Sequence, residues 1–129
     1  MKKNQLLLNL AVNSMNNAHA PYSNFKVGAA ILADNGKTYS GCNVENISYP
    51  CGTCAEAGAI AAMVADGGKK IVKIIIVSDG NIMITPCGAC LQRIKEFSST
   101  ETEIILTKEC EEVKTVKMSD LLPLAFEEF

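Results

Sequence analysis

The run Ile71-Val72-Lys73-Ile74-Ile75-Ile76-Val77-Ser78 limits most strictly what this chain can fold into. Its β-branched residues fill nearly every position instead of every second one. That pattern reads as a strand buried on both faces. Such a strand needs helices layered against it, which points to a layered α/β fold.

The flanking sequence supplies those layers. Residues 4–17 read as a helix, with Leu6, Leu7, Leu10, Ser14 and Asn17 near one face and Val12 and Met15 adding apolar surface. Ala20 to Asn24 is a loop. Phe25 to Ala33 alternates and reads as a strand, Asp34-Asn35-Gly36-Lys37 as a hairpin turn, and Thr38 to Asn43 as the return strand. After a loop over residues 46–52, an alanine-rich helix runs from Cys54 to Ala65 and stops at Gly67-Gly68. Residues 79–85 form a loop or short strand, 88–97 a helix, 104–107 a strand and 113–118 a weaker strand. Ser119 caps a last helical turn into Leu121-Leu122. No repeat, linker or low-complexity tract divides the 129 residues, so 1–129 is expected to be one domain.

Composition narrows the function classes. The net charge is −2 with both signs well mixed, so the basic face of a phosphate-tracking nucleic-acid binder is missing. No run of about 18 apolar residues is present to span a membrane. Leu6 to Val12 follows Lys2 and Lys3 as a signal peptide would. Asn4, Gln5, Asn9 and Asn13 interrupt it, and it reads as an amphipathic helix. Without a secretory signal, six cysteines point to metal or redox chemistry in a reducing cytoplasm, not to disulfides.

Two motifs carry the chemistry: Cys54-Ala55-Glu56, and Pro86-Cys87-Gly88-Ala89-Cys90. They supply three thiols and one carboxylate fixed beside them. A catalytic zinc ion needs three protein ligands, one open position and a proton shuttle nearby. Cys54, Cys87, Cys90 and Glu56 meet those needs. Each thiol is expected at a helix start, where the positive end of the helix dipole favours thiolate. Cys87 and Cys90 are three apart and share a helical face. The pairing of His-or-Cys-x-Glu with Pro-Cys-x-x-Cys is the known signature of zinc nucleobase deaminases.

Other readings stay open at this point. Cys51 and Cys54 with Cys87 and Cys90 also spell a non-catalytic four-cysteine zinc module, although the gap between pairs is longer than the roughly 15–20 residues of that motif and Glu56 would have no task. A thioredoxin-like pair at Cys87 and Cys90 would leave Cys54-x-Glu56 unexplained. Cys42 and Cys110 read as ordinary half-buried residues, and His19, the only histidine, as a polar loop residue.

From Tyr22 to Phe126 the chain resembles the cytidine deaminases of the small, homotetrameric type. The resemblance rests on Tyr22-Ser23-Asn24-Phe25-Lys26-Val27-Gly28-Ala29-Ala30, Gly41-Cys42-Asn43-Val44-Glu45-Asn46-Ile47-Ser48-Tyr49, the two cysteine motifs with Gln92, and Leu121-Leu122-Pro123-Leu124-Ala125-Phe126. It implies a three-layer α-β-α fold around a five-stranded mixed sheet. It implies Zn2+ held by Cys54, Cys87 and Cys90, with Glu56 as proton shuttle. Asn43 and Glu45 would bind ribose hydroxyls, Phe25 would lie against the pyrimidine, and the Ala55 amide would meet the base carbonyl. Phe126 would complete a neighbouring subunit's pocket in a homotetramer. The implied reaction is hydrolytic deamination of cytidine or deoxycytidine to uridine or deoxyuridine in pyrimidine salvage. No nucleic acid or membrane partner is implied. An Asn-x-Glu pair on an extended segment points both side chains one way and offers donors and acceptors to adjacent hydroxyls.

The chain departs from that family at two positions. Arginine often follows Cys-Ala-Glu and also the last cysteine, but here Ala57 and Leu91 follow. Three thiolates on zinc carry a formal charge of −1, which weakens the acidification of bound water unless something offsets it. Arg93, the only arginine, lies one helical turn beyond Cys90 and is the candidate, alongside backbone amides. A deaminase of another aminopyrimidine nucleoside, of the blasticidin S type, is the nearest rival. The Asn43-Val44-Glu45 segment and the Phe126 ending speak against it. A polynucleotide-editing deaminase would want a basic channel for the strand.

Overall fold

Gly28 and Gly41 are the two positions where helix and sheet approach too closely for any side chain. A Cβ on Gly28 would stand 2.1 Å from the Ala11 carbonyl oxygen, and one on Gly41 2.5 Å from the Ala55 carbonyl oxygen. The first contact seats helix α1 (Gln5–Asn16) on strand β1 (Val27–Ala33), and the second seats α2 (Ala55–Ala65) on β2 (Thr38–Cys42). The computed structural model describes residues 3–129. Its remaining elements are β3 (Ile71–Ser78), β4 (Met83–Ile84), α3 (Gly88–Glu96), β5 (Glu103–Lys108), β6 (Glu111–Val116) and α4 (Met118–Leu121), with a 3-10 turn at Tyr49–Cys51.

One mixed sheet runs in the order β2-β1-β3-β5-β4, and β6 also pairs with β5. β1 is antiparallel to β2 and β3, whereas β3 and β5 are parallel. The parallel pair requires a crossover, and α3 provides it. Five strands of at least five residues make the expected five-stranded sheet, and β4 adds a sixth of only two residues.

The period-2 alternation divides the core. Ala29, Ile31, Ile74, Ile76, Ile104 and Leu106 pack with Ala59, Met63 and Ile94 of α2 and α3. Ala30, Ile75, Val77 and Ile105 face the other way, toward Leu7, Ala11 and Met15 of α1. The sheet thus lies between α1 on one side and α2 with α3 on the other, the three-layer arrangement that the isoleucine run implied. No helix among the described residues is long and apolar enough to cross a membrane.

The structure refines three boundaries. The packed stripe of α1 is Leu7, Ala11 and Met15 while Leu6 projects into solvent, because the Gly28 contact puts Ala11 against the sheet. β1 begins at Val27 and not at Phe25, because Asn24 adopts a left-handed backbone (φ 56°) that ends the loop in a turn. Lys117, not Ser119, precedes the last helical turn, and its backbone N–H donates to Asp120 Oδ2 at 2.9 Å.

The close contact can be tested by glycine replacement. Gly41→Ala is expected to destabilise the fold by about 1–3 kcal/mol, because backbone must move. Gly58→Ala, one helix turn into α2 with its nearest neighbour 3.6 Å from the new Cβ, is expected to be neutral or to stabilise by up to about 1 kcal/mol through helix propensity. Urea unfolding of both variants checks the contrast. Equal effects would remove the special role given to the Gly41 contact.

Candidate active site

One end of the sheet gathers the start of β1, the end of β2 and the end of β3, since Val27 pairs with Ser78 and Gly28 with Cys42. The N-termini of α2 and α3 arrive at the same end. Cys54 is the N-cap residue of α2 and Cys87 that of α3, both with extended backbone. Cys90 lies in the first turn of α3 and is fully buried. The three sulfurs lie within 4.8 Å of one another. Among the described residues no other group of three histidine, cysteine or acidic side chains is gathered closely enough to hold a metal ion.

Neighbouring charge and burial set the thiols apart. The Cys90 and Ala89 amides, pointing out of the first turn of α3, hold the Cys87 thiol below its ordinary pKa. Burial pushes the Cys54 and Cys90 thiols up, and the negative charge of Glu56 adds to both. A cation at the centre of the three sulfurs removes that penalty by taking the place of the protons, so metal uptake here releases protons. Three clustered thiol donors, of which Cys54 and Cys90 are poor as free thiolates, suit zinc. Arg93 Nη1 donates to Cys90 Sγ at 3.3 Å, and the Cys90 thiolate keeps the guanidinium firmly charged.

Glu56, the second residue of α2, is only 5% exposed, and burial raises its carboxyl pKa. It lines an open cavity of about 570 Å³ together with Cys54, Ala55, Cys87, Asn43 and Glu45. Ala55 is the first residue of α2, and its N–H has no acceptor within the helix.

Asn43 and Glu45 meet the cavity while already engaged. Asn43 Oδ1 accepts from the Val27 N–H at 2.9 Å, and its Nδ2 donates to the Phe25 carbonyl at 2.8 Å. Glu45 accepts from the Tyr22 and Ser23 backbone N–H groups, at 3.0 and 3.1 Å, and from the Ser23 hydroxyl. These bonds hold Glu45 below the usual carboxylate range, the Ser23 hydroxyl first among them. Both residues therefore fasten the 22–27 segment to the end of β2. Sequence reasoning missed this role, whose partners lie 16 to 23 residues away.

The other expected residues fall elsewhere. Phe25 does not line the cavity; its ring lies against Gly80. Phe126 also lies off this cavity. It is exposed and packs edge-on against Phe129, and its carbonyl accepts from Gln92 Nε2 at 2.6 Å. Cys51 stands outside the sulfur group, with its Sγ 3.5 Å from Ser48 Oγ. The gathered sulfurs are therefore three and not the four of the alternative module. Tyr22, Thr53, Ile84 and Thr85 join the cavity wall without having been singled out. Of these, Tyr22 carried a signal, since it is an exposed tyrosine in a loop and its ring meets Tyr49 at 6.0 Å.

Residues 1–106 match the family described as the cytidine and deoxycytidylate deaminase zinc-binding region. The chain belongs to this deaminase family. A cytidine deaminase of Halalkalibacterium halodurans is 36% identical over 95% of this chain and 92% of its own. One from Sporosarcina psychrophila is 40% identical over 84% of this chain and 80% of its own. Among solved structures, the cytidine deaminase of Burkholderia pseudomallei superposes with a TM-score of 0.89 at 40% identity, covering 98% of this chain and 100% of its own. That of Mycobacterium tuberculosis gives 0.86 at 34%, covering 99% and 100%. As a member of the deaminase family, the chain is a zinc-dependent hydrolytic enzyme.

Proposed function

We propose that this protein deaminates cytidine and deoxycytidine to uridine and deoxyuridine, with Cys54, Cys87 and Cys90 holding the zinc ion and Glu56 moving the proton. The observation that carries this reading is the placement of a buried carboxylate beside three clustered sulfurs at the wall of an open cavity. When bound, zinc supplies the Lewis acidity that activates water toward an amino-bearing ring carbon. Glu56 accepts a proton from the attacking water through a carboxylate oxygen. It returns that proton toward the amino nitrogen, which leaves as ammonia, so that one water is consumed per base. Burial raises the Glu56 carboxyl above the ordinary carboxylate range, which moves it in the direction a proton-returning group requires.

The remaining roles follow from groups facing the cavity. The Ala55 N–H is free to meet the base carbonyl at the positive end of α2. Asn43 and Glu45 retain donor and acceptor capacity beyond their bonds to the 22–27 segment, and that capacity is directed to the sugar hydroxyls. Phe25 is assigned to the pyrimidine from the same segment, although its ring rests on Gly80 in the single chain. The 1–129 chain acts as one domain in this reading, in pyrimidine salvage in the cytoplasm. Two hydrophobic clusters on a single sheet support the one-domain assignment.

We also propose a homotetramer in which Phe126 closes a neighbour's cavity. Ile47 (81% exposed), Leu124 (95%) and Phe126 (64%) leave apolar surface that one chain does not cover. Light scattering is expected to give about four times the 13.8 kDa chain mass. A fully active 13.8 kDa species would rule the shared pocket out.

The catalytic assignment is tested on zinc-loaded protein with cytidine, following loss of cytidine absorbance together with ammonia release. Glu56→Gln is expected to keep its zinc and lose roughly 10²–10⁴ or more in rate. Undiminished turnover by Glu56→Gln would take the proton relay away from this residue. Zinc-loaded wild type that is inert toward cytidine and deoxycytidine would overturn the substrate assignment.

A further inference from the structure

We infer that Arg93 is the positive group that offsets the thiolate charge of the metal centre, reaching it from outside the cavity. Zinc on three thiolates sums to −1, and one guanidinium brings the assembly to zero. This inference rests on the zinc-site reading given above.

Arg93 is the sole arginine of the chain. Its Nη1 donates to the sulfur of the fully buried Cys90 at 3.3 Å, and among the described residues it forms no ion pair with a carboxylate. The lysines that do find charged partners find acidic ones: Lys95 pairs with Glu127, Lys37 with Asp66 and Lys73 with Glu103. No lysine among the described residues bonds a cysteine sulfur.

Helical spacing explains the geometry. Arg93 follows Cys90 at the i+3 position, so both project from one face of α3, and Arg93 is not part of the cavity wall that Glu56 lines. The charge is thereby added without occupying the side that substrate must enter. The neighbouring sites that could have served, Ala57 after Glu56 and Leu91 after Cys90, are apolar, and Leu91 is packed against the core. Arginine suits the task because it stays protonated throughout the accessible pH range and presents directed N–H donors to a soft, diffuse sulfur. Arg93 is thus a positioning and charge-balancing residue, not a catalytic one.

Zinc affinity, measured by competition with a chromophoric chelator at fixed pH, tests the inference on Arg93→Ala, Arg93→Gln and Arg93→Lys, alongside cytidine turnover. Loss of a group that supports metal ligands typically weakens affinity about 10–100-fold. Arg93→Ala and Arg93→Gln are both expected to show that loss, with a matching fall in turnover, while Arg93→Lys recovers most of it. Circular dichroism of the zinc-free proteins, expected to be unchanged, controls for folding. Glutamine keeps an N–H donor without the charge, whereas lysine keeps the charge and most of the reach. An Arg93→Gln protein that binds zinc as tightly as wild type would overturn the inference, as would Arg93→Lys binding no better than Arg93→Ala. The affinity arm needs no turnover. A wild type that binds zinc without deaminating cytidine would therefore defeat the proposed activity, while these affinities alone still decide the role of Arg93.

Discussion

The convergence of two helix N-termini on one end of the sheet is the constraint on which the site depends. β3 and β5 run parallel, so the chain must cross over the sheet between them, and α3 makes that crossing. β2 and β1 run antiparallel, so the chain leaves β2 at the end where β3 finishes and enters α2 there. Both helices then lie on the same face, packed through Ala59, Met63 and Ile94. Their starts, Cys54 and Cys87, are brought together by topology before any metal chemistry enters. The donors are held on regular elements rather than on a long loop, which favours a fixed coordination geometry.

Energetics and chemistry pull in opposite directions here. Burial makes Cys54 and Cys90 poor thiolates and Glu56 a reluctant carboxylate, so assembling them dry is a cost when the centre is empty. A divalent cation reverses the sign for the thiols, and binding energy for the metal becomes folding energy for this end of the sheet. The same dryness raises the pKa of the Glu56 carboxyl. Arg93 outside and the helix dipoles beneath are the two fixed sources of positive charge around the sulfurs.

Much of this was legible in the sequence where the signal is local. The isoleucine run places β3 to the residue, 71 to 78, because a strand buried on both faces leaves no ambiguity of pattern. Cys-x-Glu and Pro-Cys-x-x-Cys place both helix starts, and the three-residue step from Cys90 to Arg93 foretells their contact. Where the sequence is silent, the reason is tertiary. β4 is a two-residue strand held only by its pairing with Thr107 and Lys108. The stripe of α1 that packs depends on the absence of a side chain at Gly28, on another element. The engagement of Asn43 and Glu45 by the 22–27 segment depends on a loop returning to the end of β2, which no periodicity encodes. Phe126 does not line the cavity beside the sulfurs, so a single sequence could offer it only by resemblance.

The claim at the centre is that three sulfurs and no more hold the metal, leaving one position for chemistry. Zinc K-edge absorption on the zinc-loaded protein measures it directly. One zinc per chain is expected, with three sulfur neighbours at about 2.3 Å and one oxygen or nitrogen neighbour at about 2.0 Å. Four sulfur neighbours would mean that a fourth cysteine closes the site, and the open catalytic position described here would not exist.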